Sequence, residues 1–252
     1  PTCSATLNGS ILISVGLPTA SIVGFTQLVI CSGTSSGLEI QGTPGSVVTY
    51  TIEGVAQPTV TIPATGTLII DTGVQTVTTT TTYIYALTNV VSNSTPPCSD
   101  FITDESATLT VNALPTASIS TTTISVCQET AGTLNFTGTP NAIVTYNDVT
   151  QDLTVTLDAA GNATVTTAPL SAATTFTLVS VEVTNTVLCS NTLTGSVTIT
   201  IDNNPVITVP PVGDTKCVGE SITFTVEATG ANLTYQWFFG STLISGATNP
   251  TY

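Results

Sequence analysis

The six cysteines of this 252-residue chain recur in a nearly regular pattern, which indicates an internal repeat. The series is Cys3, Cys31, Cys98, Cys127, Cys189 and Cys217. Three short intervals, 3–31, 98–127 and 189–217, alternate with two intervals more than twice as long, 31–98 and 127–189. A sequence period of this kind decides the architecture, because each repeat is one structural unit. We interpret the short intervals as linker regions and the long intervals as domains.

Two sequence motifs give the same period. LPTASI at 17–22 returns at 114–119, and GTPGSVVTY at 42–50 returns as GTPNAIVTY at 138–146. The two offsets differ by a single position. The agreement of two independent motifs predicts repeat units of about 90 to 97 residues.

The alignment of these units predicts four segments. Residues 17–113 and 114–203 form complete repeats. Residues 1–16 match the closing strands of a preceding repeat, and residues 204–252 match the N-terminal part of a following one. An incomplete repeat cannot bury a core of its own, so we expect the chain to be a segment of a longer tandem array of repeats.

The charge of the chain excludes several partners. Fifteen acidic residues stand against one basic residue, Lys216, which gives a net charge of −14. Nucleic acid is excluded as a partner because no basic patch could neutralise its phosphates. The apolar runs are short and interrupted, and none reaches the roughly 18 residues of a membrane-spanning helix, so no membrane insertion is expected.

The cysteine chemistry predicts an extracellular location. The chain has no histidine and no CxxC motif, which favours disulfides over metal or redox sites. The preferred pairing joins Cys31 with Cys98 and Cys127 with Cys189, so that each repeat is closed by its own bond. Cys3 and Cys217 then pair outside the chain segment.

Alternation of apolar and small polar residues predicts strands with one solvated face. In the second repeat these strands are 133–137, 142–146, 153–157, 163–167, 175–183 and 196–201. Short strands separated by frequent turns predict an all-β fold of tandem antiparallel immunoglobulin-like β-sandwich domains. Tyr50, Tyr146 and Phe176 are expected in the cores, with an exposed sugar-stacking platform as the alternative for the aromatic residues.

Two segments carry a resemblance to a known family. CVGESITFTVEATGANLTYQWFFGSTLISGATNPTY at 217–252 and TLDAAGNATVTTAPLSAATTFTLVSVEV at 156–183 resemble bacterial Ig-like repeats of very large Bacteroidota surface proteins, including gliding-motility-associated adhesins. The resemblance implies type IX secretion and a place on the cell surface. Cys217 lies before the strand SITFTVEAT and far from Trp237, unlike the central cysteine of a true immunoglobulin domain, which implies a disulfide near one pole of the sandwich.

Catalysis and metal binding have little support in the sequence. Without histidine or arginine, a serine nucleophile would lack its usual base, so the chain is not expected to be an enzyme. The remaining acid–base alternatives are paired carboxylates, for instance Asp148 with Asp152 or Asp104 with Glu105. No cofactor is predicted. Calcium is the alternative, with Asp202, Asn203 and Asn204 as oxygen ligands.

These observations predict a structural stalk or filament segment of a secreted bacterial cell-surface adhesin. Its partners would be neighbouring Ig-like repeats or copies of itself. One alternative is a subunit of a self-assembling extracellular fibre. Another is a module that binds a surface glycan or protein.

Overall fold

The computed structural model describes residues 16–184 and 187–252, and all regular elements within these ranges are β-strands. The predicted fold class, tandem antiparallel immunoglobulin-like sandwiches, is confirmed. No helix in the described part of the chain could cross a lipid bilayer. Cys3 and nearly all of the predicted fragment 1–16 lie outside the described residues.

Two compact units make up the chain. The first ends at Leu114 and also includes Thr184–Cys189, and the second comprises Pro115–Val183 and Ser190–Tyr252. Strands β1 to β10 fall inside the predicted repeat 17–113, and strands β11 to β19 fall inside 114–203. The repeat limits themselves stay predictions.

Ten strands build the first sandwich. They are β1 (Ala20–Phe25), β2 (Val29–Cys31), β3 (Gly37–Gly42), β4 (Val47–Ile52), β5 (Val55–Ala56), β6 (Val60–Thr61), β7 (Thr67–Asp71), β8 (Thr81–Val91), β9 (Ser99–Phe101) and β10 (Ser106–Asn112). One sheet has the order β1-β3-β7. The other has the order β2-β10-β8-β4-β5, with β6 on β4 and β9 on β8.

Alternating apolar residues from both sheets form one core in this sandwich. Leu38 and Ile40 of β3 are fully buried, and so are Leu109 and Val111 of β10 in the other sheet. The intervening residues are mostly polar and face outward, as period-two alternation requires. Tyr50 of β4 belongs to this core, as the sequence predicted.

The second sandwich repeats the arrangement with nine strands. They are β11 (Ala117–Ser120), β12 (Ser125–Cys127), β13 (Thr133–Gly138), β14 (Ile143–Asn147), β15 (Asp152–Thr156), β16 (Asn162–Thr166), β17 (Thr174–Thr184), β18 (Leu188–Thr192) and β19 (Ser196–Asp202). The sheets have the orders β11-β13-β16 and β12-β19-β17-β14-β15, with β18 on β17. Phe136, Tyr146, Phe176 and Ile199 are buried together in the core.

Each sandwich has one parallel strand pair, which the sequence did not predict. β2 pairs in parallel with β10, and β12 pairs in parallel with β19. In both repeats the chain leaves the three-stranded sheet after its first strand and adds the next short strand to the edge of the other sheet. Each of these short strands ends at a cysteine, Cys31 or Cys127.

The C-terminal segment 204–252 has only small sheets. β20 (Val206–Val209) pairs with β21 (Glu227–Thr229), and β22 (Phe238–Phe239) pairs with β23 (Thr242–Leu243). No residue between 204 and 252 is buried. This segment therefore has no core of its own in the structure.

The glycine at the start of each Gly-Thr-Pro motif, Gly42 or Gly138, has no room for a side chain, because another part of the backbone lies against it. The Thr116 carbonyl accepts the Thr139 N–H at 2.9 Å, which places that carbonyl against Gly138. A Cβ on Gly138 would collide with this oxygen and with Ala117. Gly42 stands in the same relation to the Thr19 carbonyl in the first sandwich.

We therefore expect Gly138→Ala to destabilise the second sandwich by about 1–3 kcal/mol, the usual cost of overpacking a site that cannot give way. Urea unfolding measures this change. Gly213→Ala is the matched control, because a Cβ at Gly213 meets nothing within 4 Å. Equal stability of the two variants would show that the close contact at Gly138 is not a constraint.

Candidate functional site

The covalent feature of the described structure is a disulfide between Cys31 and Cys189. Cys31 is the last residue of β2, and Cys189 is the second residue of β18. Their Cα atoms are 5.6 Å apart, and the bond joins positions 158 residues apart in the sequence. Cys98, Cys127 and Cys217 form no disulfide within the described residues.

This bond corrects the predicted pairing of Cys31 with Cys98. Cys31 of β2 is paired with Asn112 of β10. Val111, the residue before Asn112, lies opposite Thr81 at the start of β8. Cys98 directly precedes Ser99, which is opposite Val91 at the other end of β8. The 11 residues of β8 span about 33 Å, whereas disulfide-bonded Cα atoms lie within about 7 Å.

The same geometry corrects the predicted pairing of Cys127 with Cys189. Cys127 is opposite Asp202 at the end of β19, beside the start of β17. The Leu193 N–H donates to the Val179 carbonyl at 3.0 Å, and antiparallel pairing then carries Cys189 towards the C-terminal end of β17. The two cysteines of each repeat therefore lie at opposite poles of their sandwich.

The first carboxylate pair considered from the sequence, Asp148 and Asp152, stabilises the turn between β14 and β15. One oxygen of Asp148, Oδ1, accepts the Thr150 hydroxyl at 2.6 Å and the Gln151 N–H at 2.9 Å. These hydrogen bonds, that of the Thr150 hydroxyl first, lower the pKa of Asp148. Asp152 accepts from the Asn147 side chain at 2.8 Å. A carboxyl with a lowered pKa is a poor general acid. Both carboxylates accept hydrogen bonds from residues of the turn between β14 and β15.

Two of the three calcium candidates, Asp202 and Asn203, have hydrogen-bond partners within the protein. Asp202 closes β19, and its carboxylate accepts the Ser125 hydroxyl at 2.9 Å. The Asn203 carbonyl faces the Ala231 N–H instead. Among the described residues, no group of three or more histidine, cysteine, aspartate or glutamate side chains is placed to hold a metal ion.

The predicted core aromatic residues are buried. Tyr50, Tyr146 and Phe176 are 8%, 4% and 3% exposed, respectively. Burial raises the pKa of both tyrosine hydroxyls, because it disfavours the charged phenolate. These rings are therefore core residues and cannot stack against a sugar.

An apolar groove surrounds Trp237 in the C-terminal segment. Its walls include Pro205, Ile207, Leu233 and Tyr235, and it encloses about 350 Å³. The Trp237 ring also stacks near Tyr252, with ring centroids 6.0 Å apart. Phe238 and Phe239 are exposed beside it.

No protein-family model matches the chain, and no curated protein matches its sequence. Among solved structures, three Ig-like domains of titin, I67 to I69, are 15% identical over 92% of this chain and 82% of that one, with a TM-score of 0.49. An ice-binding adhesin of an Antarctic bacterium, described as Ca²⁺-stabilised, is 18% identical over 88% of this chain and 60% of that one, with a TM-score of 0.47.

The adhesin InvE of Yersinia pseudotuberculosis is 15% identical over 73% of this chain and 58% of its own, with a TM-score of 0.30. The present chain therefore spans less than two thirds of either bacterial adhesin. Similarity at these identities and TM-scores does not establish a shared function.

The observed pairing predicts which cysteines stabilise the fold. Cys31→Ser, Cys189→Ser and the double variant should lose the same free energy of unfolding, up to about 5 kcal/mol for a loop of this length in the chain-entropy model. Denaturant unfolding of each variant measures the loss. The double variant should cost no more than either single one, because both remove one bond.

Cys98→Ser is the control for this series, since Cys98 is half-buried and forms no disulfide with any cysteine that the structure describes. Its unfolding free energy should stay within about 0.5 kcal/mol of the parent protein. If Cys98→Ser were as destabilising as Cys31→Ser, the originally predicted pairing would be correct and the observed one would not.

Proposed function

We propose that this chain is a structural stalk or filament segment of a secreted bacterial cell-surface adhesin, built from Ig-like repeats at 17–113 and 114–203. Residues 1–16 and 204–252 belong to the adjoining repeats. The observation that carries the proposal is the Cys31–Cys189 bond, which covalently links β2 of one predicted repeat to β18 of the next. A bond between repeats suits a protein whose task is to transmit force.

The disulfide changes what happens when the chain is pulled by its ends. The covalent path runs from Cys31 through the two sulfur atoms to Cys189 and bypasses the residues between them. Both long central strands, β8 and β17, lie within that bypassed loop. Tension therefore does not reach these strands while the bond is intact.

The parallel pairs add resistance once the disulfide is reduced, because β10 and β12 lie within the bypassed loop while the bond is intact. In the first sandwich β2 is near the N-terminal end of the repeat, and its parallel partner β10 is near the C-terminal end. Opposite forces on two parallel neighbours load all their hydrogen bonds at once in shear, instead of breaking them one after another. β12 and β19 have the same arrangement in the second sandwich.

The composition supports an exposed extracellular location. Charged residues make up 6% of the chain, and Lys216 is the one site in the sequence that trypsin could cleave. A disulfide persists in oxidising compartments, which include the cell surface. The resemblance to Bacteroidota repeats supports the finer proposal of a type IX secreted, gliding-motility-associated adhesin.

Pulling a single molecule by its ends tests the mechanical role. With the bond intact, the loop from Cys31 to Cys189, a sequence separation of 158, stays closed. Addition of a reductant should release up to about 550 Å of further extension, at roughly 3.5 Å per residue. Atomic force microscopy reads this length directly.

The Cys98→Ser variant provides the control for the pulling experiment and should extend like the parent protein. Full extension of the parent before any reductant is added would contradict the proposed load path. In that case the sandwiches themselves would carry the force.

A further inference from the structure

We infer that Cys127 and Cys98 each form a disulfide with a cysteine of another Ig-like repeat, in the way that Cys31 bonds to Cys189. A strand-end cysteine closes the second strand of a repeat, as Cys31 does. A corner cysteine lies in the hairpin after the long central strand, as Cys189 does. The observed bond joins the strand-end cysteine of one repeat to the corner cysteine of the next, and the same rule assigns partners to Cys127 and Cys98.

The strand-end position of Cys127 matches that of Cys31 in detail. The Cys31 carbonyl accepts the Thr34 N–H at 3.1 Å and the Thr34 hydroxyl at 2.7 Å. The Cys127 carbonyl accepts the Thr130 N–H and hydroxyl at 3.1 and 2.6 Å. Cys127 is also exposed, so its sulfur can reach a partner.

The third repeat has the beginning of the same turn. The Cys217 carbonyl accepts the Glu220 N–H at 3.1 Å, three residues further along, as in the other two repeats. Cys217 is exposed. No strand ends at Cys217 in the structure, so its turn alone assigns it to the strand-end cysteines.

The corner position of Cys98 matches that of Cys189. The hairpin after β8 is held by the Ile102 N–H, which donates to the Thr88 carbonyl at 3.1 Å. The hairpin after β17 is held by the Leu193 N–H, which donates to the Val179 carbonyl at 3.0 Å. Cys98 and Cys189 precede these donors by four residues each. By sequence, Cys3 in CSATLNGSILISV occupies the corner position too.

The rule defines where the partner thiol comes from. Cys127 requires a corner cysteine of a later repeat, and residues 204–252 contain only Cys217, a strand-end cysteine. When this chain is studied by itself, a second copy can provide one, at Cys98 or Cys3. Cys98 in turn requires a strand-end cysteine, which a second copy offers at Cys217 or Cys127.

Bond formation needs an electron acceptor, and a low-molecular-weight disulfide such as oxidised glutathione is sufficient. One protein thiolate attacks the small disulfide and releases one small thiol. The second protein thiolate then attacks the mixed disulfide and releases the other. Two protein S–H bonds and one small S–S bond are lost, and one protein S–S bond and two small thiols are formed.

The loops closed by such bonds would overlap along an array of repeats. Cys127 lies inside the loop closed by Cys31 and Cys189, so each new loop begins before the previous one ends. The segment 190–216, between Cys189 and the next strand-end cysteine, Cys217, would lie inside the loop that begins at Cys127. This consequence rests on the proposed stalk function, whereas the pairing rule does not.

The test is to incubate the purified chain at increasing concentration in a reduced and oxidised glutathione buffer, block the remaining thiols, and map the linkages by mass spectrometry. Cleavage at acidic and aromatic residues is required, because trypsin has one site. We expect multimers on non-reducing gels, with linkages that join Cys127 or Cys217 to Cys98 or Cys3 of another molecule. Cys127→Ser should abolish the linkages at that position.

A variant with its cysteine moved to another exposed position provides the matched control. Val74 is exposed and belongs to neither cysteine class, so Cys127→Ser combined with Val74→Cys should not restore the lost linkages. Like-with-like linkages as abundant as mixed ones, equal crosslinking through the displaced thiol, or an unlinked monomer at every concentration would each overturn the inference. These outcomes are separate from the pulling experiment, which depends only on Cys31 and Cys189.

Discussion

The length of the central strand in each sandwich is the constraint on which the rest of the structure depends. β8 and β17 each have 11 residues and run from one pole of their sandwich to the other. The strand-end cysteine is fixed near the start of this strand, and the corner cysteine near its end. A disulfide cannot bridge that distance, so these two cysteines of one repeat do not bond to each other.

The stability of each sandwich therefore rests on its apolar core. The first core joins Leu38 and Ile40 to Leu109 and Val111 across two sheets, and none of these side chains is exposed. Burial of aliphatic and aromatic side chains supplies the main favourable free energy of folding. The disulfide adds to this by restricting the unfolded chain.

Much of the fold could be predicted from the sequence, because strands with one buried face have a clear period of two. The six strands predicted between 133 and 201 all exist, and each end lies at or next to the predicted position. The short strands β11, β12 and β18 were missed, since such brief segments give little periodicity. The cysteine pairing was wrong because spacing alone does not show at which pole a cysteine lies. The long Thr-rich strand between Cys31 and Cys98 was the signal that could have shown it.

The most direct test of this account is a disulfide map of the native chain, made without reduction after its free thiols have been blocked. The account predicts a peptide pair that contains Cys31 and Cys189, with blocking groups on the Cys98 and Cys127 of monomeric chains. A peptide pair of Cys31 with Cys98, or of Cys127 with Cys189, would contradict it, because each repeat would then be closed by its own bond.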